Sequence, residues 1–246
     1  MEIPNILLEK LKSARHVAVM TGAGVSAESG IATFRDPDGL WAKFNPAELA
    51  SMDGFMSNPE LVWSWYQHRR DIIQSCKPNP GHYVIADMQK LFPKFTLITQ
   101  NVDRLHQQAG SENVLELHGN IIDNHCSRCQ RPYLEEIDLS EKDVPCCKHC
   151  GGIIRPSVVW FGEMLPADAI ECATEASEDC DVFFSVGTSA EVYPAANLPL
   201  LARRNGAFIV EVNPNVTALT QYSDVQLRAA SGIALPKLIE KFKNFI

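Results

Sequence analysis

Short, continuous apolar and β-branched runs recur along the chain at residues 16–21, 95–99, 114–117, 181–186, 207–212 and 224–227. Runs that do not alternate with polar residues read as strands buried on both faces of a parallel sheet. Longer stretches separate many of them, and residues 166–178 and 195–205 read as helices. Strands alternating with helices predict βαβ units and a doubly wound, Rossmann-like α/β core. Two segments break the alternation. Residues 36–88 are loop-rich and helical, with Trp41, Trp63, Trp65 and Tyr66, and residues 121–156 carry a cysteine cluster. The expected division is a core of residues 1–35, 89–120 and 157–246, a cofactor loop and helical module at 36–88, and a metal module at 121–156. The two insertions together would form a smaller second domain.

Small or polar residues stand just beyond five of the strands. Gly22-Ala23-Gly24 comes after the first, Gln100-Asn101-Val102-Asp103 after the second and His118-Gly119 after the third. Gly187-Thr188-Ser189 and Asn213-Pro214-Asn215 come after two more. Ligands bind outside the carboxyl ends of strands in open parallel sheets, so these groups should converge on one crevice.

Composition narrows the partners. The 246 residues are 46% hydrophobic and 21% charged, ordinary values for a globular protein. The net charge of −8, with no dense Lys/Arg run, disfavours nucleic acid and favours small-molecule and protein substrates. No apolar run approaches the roughly 18 residues of a membrane span. The start, Met1-Glu2-Ile3-Pro4, lacks the basic region of a signal peptide, so a cytoplasmic location is expected.

Residues 22–27, Gly-Ala-Gly-Val-Ser-Ala, fit G-x-G-x-x-A between a strand and a helix. The first glycine would permit the tight turn, and the second would let backbone N–H groups approach a pyrophosphate. The small Ala27 would allow close helix packing. A dehydrogenase would place an acidic residue on a second strand about 20 residues on. The chain runs instead into Ala32-Thr33-Phe34-Arg35-Asp36 and a loop, so hydride transfer fits poorly.

Taken together, the 22–31 segment, Thr33-Phe34-Arg35, Gln100-Asn101-Val102-Asp103, His118-Gly119, Gly187-Thr188-Ser189 and Asn213 resemble the sirtuin family's motifs in order and spacing. The resemblance covers nearly the whole chain. It implies an NAD-dependent protein-lysine deacylase in which NAD is consumed, giving nicotinamide and O-acyl-ADP-ribose. His118 would be the general base toward a ribose hydroxyl, because imidazole titrates near neutrality. Asn101, which both donates and accepts, would orient a ribose or a water. The resemblance places Gln100 on the ribose and Asp103 on the nicotinamide amide, although Asp103 also suits a helix cap before Leu105. It places Arg35 near the diphosphate, Ser26, Thr188 and Ser189 on phosphate, and Asn213 on the adenine ribose. Phe34, Val102 and Ser231 complete the expected cofactor set. A mono-ADP-ribosyltransferase and a non-catalytic zinc-ribbon adaptor are the competing readings.

Five of the eight cysteines lie between Cys126 and Cys150. Cys126-x-x-Cys129 and Cys147-x-x-Cys150 are separated by 17 residues, within the range of a structural zinc ribbon. Four thiolates would make a closed tetrahedral site. Cys146, His125 and His149 are rival ligands. Cys147 is preferred because residues 147–152 have the knuckle spacing and trailing glycines.

Asn58-Pro59 predicts a helix start, and Val62, Trp65, Tyr66, Arg69 and Ile73 then fall on one face. Gln67, Arg70, Asp71 and Gln74 point elsewhere. A charge on a buried face needs a partner, either a protein carboxylate or a ligand carboxylate gripped bidentately. Tyr66-x-x-Arg69 resembles the class III sirtuins, which remove succinyl, malonyl and glutaryl groups, and Ala50 resembles the small residue that widens their acyl pocket. The expectation is therefore an acidic-acyl deacylase that also removes acetyl. By the same resemblance Val159, Trp160, Phe161, Gly162 and Glu163 on one side, and Val192 on the other, would hold an acylated peptide by strand addition.

Overall fold

The computed structural model describes residues 1–34, 45–135, 137 and 144–246. The six apolar runs form one parallel sheet. Its strands are β1 (His16–Thr21), β2 (Lys94–Thr99), β3 (Leu115–Glu116), β7 (Val182–Val186), β8 (Phe208–Val212) and β9 (Val225–Leu227). The order is β3-β2-β1-β7-β8-β9. Val17 of β1 pairs with Phe95 of β2 on one side and Val182 of β7 on the other. The direction of winding therefore reverses at β1, and a crevice opens where the strand order switches.

Every residue of β1 and β7 is buried, which explains why these strands read as unbroken apolar runs. Successive side chains leave the sheet on opposite faces. Val17 and Val19 meet a core that includes Leu7, Leu8 and Leu11 of the Asn5–Ser13 helix and Leu235, Leu238 and Phe242 of the Ser231–Phe245 helix. Ala18 and Met20 meet a second core with Ala173, Leu198 and Ala202 on the opposite face. Of the two predicted helices, the first spans Ala167–Asp179. The second is a 3-10 turn, Ala195–Asn197, running into an α-helix, Leu198–Arg204.

The smaller domain has its own antiparallel sheet, β5-β4-β6, of β4 (Gly119–Cys126), β5 (Pro132–Tyr133) and β6 (Ile154–Val158). Helices Pro46–Leu49, Met52–Ser57 and Pro59–Ser75 pack with it. Phe55, Val62, Trp63, Ile73, Ile121, Ile154 and Trp160 share one core, so the two insertions fold as a single body. The long helix begins where Asn58 caps it, its side chain accepting from Leu61 N at 3.1 Å.

The boundaries differ from the sequence expectation in two places. The Pro80–Met88 helix, assigned to the helical module, puts Ile85 and Met88 into the core of the large sheet. The ribbon also begins at Gly119, directly after His118, and its last strand runs to Val158. Among the described residues no helix is long and apolar enough to cross a membrane.

Candidate active site

The glycine turn is built against the turn after β7. Gly24 N donates to Gly187 O at 2.8 Å, and Gly22 N donates to Val186 O at 3.0 Å. A Cβ on Gly22 or on Gly24 would lie 2.8 Å from Gly187 O. Gly187 itself has φ +60°, in the left-handed region that favours glycine. The sequence expectation assigned the second glycine to a pyrophosphate. The structure gives it a different cause, close packing of two strand-end turns, with its own N–H already engaged.

Three polar side chains meet beneath the crevice. Asn101 Nδ2 donates to Ser26 Oγ at 3.0 Å, and Ser26 Oγ donates to Asp103 Oδ2 at 2.7 Å. Asp103 Oδ1 accepts from Leu105 N at 2.9 Å, but the cap of the Leu105–Gln108 helix is Arg104, so Asp103 makes an Asx-type turn one residue before it and is not the helix cap expected from the sequence. Burial raises the Asp103 carboxyl above the ordinary range, against the pull of its Leu105 and Ser26 hydrogen bonds. Ser26 is 1% exposed. Its hydroxyl, expected on a phosphate, bridges the amide and the carboxyl instead, because the short Ala23–Ala27 helix turns it inward.

His118 stands at the end of β3. Its Nδ1 lies 3.1 Å from the Gln100 carbonyl, which only accepts, so Nδ1 carries the proton and Nε2 is the free base. Burial lowers its pKa below the ordinary 6.5, which keeps the ring neutral. Gln100 Nε2 donates to Thr188 Oγ1 at 3.1 Å, and Asn213 Nδ2 donates to Thr188 O at 3.1 Å. Three strand ends are thereby tied into one polar wall.

Arg69 reaches the opposite wall. It is 6% exposed, and its guanidinium lies over the Phe34 and Trp65 rings at 4.9 and 5.0 Å. Its Nη1 is buried without a hydrogen-bond partner, and among the described residues no carboxylate forms an ion pair with it. Tyr66 is buried beside it, and its hydroxyl accepts from Trp160 Nε1 at 2.7 Å. Burial pushes the Tyr66 phenol up to about 12, so it stays protonated. Arg70, read only as pointing away from Arg69, is itself buried and bonded to Ile121 O and Asn124 Oδ1.

The segment after β6 is a bend rather than one long strand. Val159 N donates to His118 O at 3.0 Å, and Phe161 N donates to Ala50 O at 2.9 Å. Trp160 N donates to Glu163 Oε2 at 2.7 Å. The Glu163 carboxylate also forms a two-point ion pair with buried Arg155, which holds it below the ordinary carboxylate range. Strand addition was expected along Val159–Glu163, yet the N–H groups of Val159, Trp160 and Phe161 are satisfied internally.

All these walls enclose one cleft of about 690 Å³. It is lined by Gly22, Ala23, Gly24, Ala27, Phe34, Gln100, Asn101, Val102 and His118, and by Gly187, Thr188, Ser189, Asn213 and Ser231. Ala50, Tyr66, Arg69, Val159, Trp160, Phe161, Gly162, Glu163 and Val192 line it too. Ser26 and Asp103 lie behind it, around a much smaller cavity that Arg69 and Asn101 share. Arg35 lies outside the described residues. Pro214 and Asn215 line it beside Asn213, as the strand-end pattern predicts, whereas sequence reasoning missed Glu28, Trp65 and residues 216–218. Trp65 was visible on the Arg69 face, whereas nothing local marks the others.

The four predicted ribbon cysteines assemble. The sulfurs of Cys126, Cys129, Cys147 and Cys150 all lie within 4.8 Å of one another. Arg128 N and Gly152 N point at the Cys126 and Cys150 sulfurs at 3.4 Å, as in thiolate knuckles. Cys146 is exposed and turned toward Val144 O, so Cys147 is the fourth member. His125 lies against Ser157, away from the quartet. Among the described residues no fifth donor joins the four sulfurs, and such a set fits a structural zinc ion.

The doubly wound sheet, the cleft at its switch point and the four-sulfur ribbon together define a nucleotide-binding α/β protein with a metal-stapled second domain. The chain belongs to the Sir2 family, whose model matches residues 22–194. It is 47% identical to an NAD-dependent protein deacylase of Methylococcus capsulatus, over 99% of each chain. Among solved structures it superposes with a TM-score of 0.94 on a mutant Sir2 homologue in complex with ADP ribose. That protein is 41% identical, with 99% of this chain and 98% of the other covered. A Sir2–p53 peptide–NAD+ structure, 34% identical, gives a TM-score of 0.88 over 99% of this chain and 100% of the other.

Proposed function

We propose that the chain is an NAD-dependent protein-lysine deacylase that removes succinyl and malonyl groups as well as acetyl. NAD, when bound, supplies the ADP-ribosyl acceptor, so that the products are nicotinamide, free lysine and O-acyl-ADP-ribose. The polar wall of Gln100, Thr188 and Asn213 offers the hydrogen-bonding groups that a dinucleotide requires. His118 Nε2, unprotonated because Nδ1 is committed to Gln100 O, receives a proton from a ribose hydroxyl. Asn101, held by Ser26, orients the same ribose or a water. The acylated lysine enters between Val159–Glu163 and Val192.

The observation that carries the acyl reading is the buried Arg69 Nη1 without a partner. A buried cation with one nitrogen unmet is costly unless a ligand supplies the acceptor. A carboxylate at the far end of a succinyl or malonyl chain is such an acceptor, and Tyr66 has a hydroxyl proton left to donate beside it. Steady-state kinetics on matched succinyl- and acetyl-lysine peptides test the reading. The wild-type protein is expected to favour the succinyl peptide, and Arg69→Met to lower the ratio of the two efficiencies. An unchanged ratio would sink the acidic-acyl reading. Release of nicotinamide that does not depend on acyl-lysine, with ADP-ribosylated protein as product, would sink the deacylase reading itself.

A further inference from the structure

Two adjacent arginines leave the Pro59–Ser75 helix in different directions, and only Arg69 meets the cleft. Arg70 Nε donates to Ile121 O at 2.6 Å, and its Nη2 donates to Asn124 Oδ1 at 2.5 Å. Its guanidinium also lies 5.2 Å from the Trp63 ring. Trp63, on the same helix, donates its indole N–H to Ile154 O at 2.8 Å. Both residues thus fasten the helix to the metal-ribbon sheet, Arg70 onto β4 and Trp63 onto β6.

Ile121 is a junction. Its carbonyl accepts from Arg70, while its N–H donates to Val102 O at 2.9 Å, next to Asn101. β4 also begins immediately after His118. One guanidinium fork therefore ties the helix to the strand that extends from His118 and to the loop that carries Asn101.

Among the described residues Arg69 has no comparable hydrogen-bonded anchor, its guanidinium lying over the rings of Trp65 on its own helix and of Phe34. Its direction is set by the rotation and rise of the helix that bears it. Adjacent side chains on a helix diverge by about 100°, so pinning residue 70 fixes where residue 69 points. We infer that Arg70 is a positioning residue for acyl recognition: by clamping the helix onto Ile121 and Asn124 it sets Arg69 at a fixed distance from His118. This inference rests on the acidic-acyl reading above.

The test compares succinyl- and acetyl-lysine peptides at saturating NAD for the full chain and for Arg70→Met, Arg70→Lys, Asn124→Ala and Arg69→Met. Arg70→Met is expected to lower the succinyl-to-acetyl efficiency ratio at least fivefold, through a raised KM for the succinyl peptide. The KM for NAD should stay within twofold. Arg70→Lys, which keeps the charge and one donor, should retain an intermediate ratio. If Arg70→Met fails to fold, Asn124→Ala decides, with at least a threefold fall expected. Folded variants with a lower melting temperature but the wild-type ratio would overturn the inference. If Arg69→Met lowers the ratio and the Arg70 and Asn124 variants do not, the positioning role alone is lost. If Arg69→Met also leaves the ratio unchanged, the acidic-acyl reading falls with it.

Discussion

Trp160 donates its indole N–H to the Tyr66 hydroxyl at 2.7 Å, and this contact decides what Tyr66 can offer a ligand. A hydroxyl has one proton to give and lone pairs to receive. The indole is donor only, so it occupies an acceptor site on the phenol oxygen and leaves the proton free. Trp160 is held in turn by the Arg155 guanidinium over its ring and by Phe55 at 5.1 Å. Tyr66 is thereby presented toward the cleft as a donor, suited to an anion.

Tyr66→Phe removes that donor while keeping the ring. A hydrogen bond to a charged group contributes about 1.5–3 kcal/mol, so the succinyl efficiency should fall roughly 10- to 100-fold. The acetyl efficiency should fall less, since an acetyl group ends in a methyl. Equal losses on the two peptides would argue that Tyr66 shapes the pocket without contacting the acyl carboxylate. The same peptide panel measures this.

His118 makes a pH prediction. Its pKa is lowered by burial, with the Gln100 hydrogen bond opposing. A general base works only when unprotonated, so activity is lost as pH falls through that pKa. The acid limb of kcat/KM should therefore lie below pH 6.5, the ordinary imidazole value. His118→Ala should lose about 10²–10⁴-fold in kcat, the usual range for a positioned acid–base group. An acid limb centred above 6.5 would point to a different titrating group.

Much of this site was legible in the chain because burial leaves a plain record. β1 and β7 are buried at every position, so their residues form apolar runs, and the first polar residues after them mark the crevice. Arg69 was legible because an arginine on an apolar helical face breaks the pattern. Arg70 was not, because its acceptors are a backbone carbonyl and an amide 51 and 54 residues away, which no periodicity encodes. Ser26 sits in a motif whose usual reading is phosphate, and only the approach of Asn101 and Asp103 across more than 70 residues reassigns its hydroxyl. The Pro80–Met88 helix looks like part of the insertion by position. It is claimed by the large core because Ile85 and Met88 face that way.

The ribbon cysteines make a prediction that separates two neighbours. Cys147 belongs to the four-sulfur cluster and Cys146 does not. One zinc per chain is expected by metal analysis of the purified protein. Cys147→Ser should lose it and lower the melting temperature, because the binding energy of a structural metal is part of the folding energy. Cys146→Ser should keep the metal and the melting temperature. Chelation should unfold the small sheet first, since Cys126 and Cys147 are part of its core and not of the large one. Retained metal in Cys147→Ser would overturn the ligand assignment.

Two buried histidines predict how the fold responds to acid. The His82 and His106 rings meet at a tilt of 58°, 4.8 Å apart, behind the Asn101–Ser26–Asp103 bridge. Burial lowers His82 to about 4 and His106 to about 3. His106 Nε2 contacts Thr21 Oγ1 at 2.9 Å and its Nδ1 is buried without a partner, so among the described residues no carboxylate is bonded to the ring to stabilise its charged form. Both pKa values are depressed in the folded state. Their contribution to stability is therefore complete above pH 6.5 and is lost as pH falls toward about 4, where the unfolded chain takes up protons that the folded chain refuses. Each such histidine contributes a slope of at most about 1.4 kcal/mol per pH unit within that window. Urea titrations between pH 7 and 4.5 should show the fall, and His106→Gln should remove up to one histidine's share of it. A pH-independent difference between His106→Gln and the wild-type chain would mean that His106 takes up protons alike in the folded and unfolded chains, and would overturn the depressed pKa.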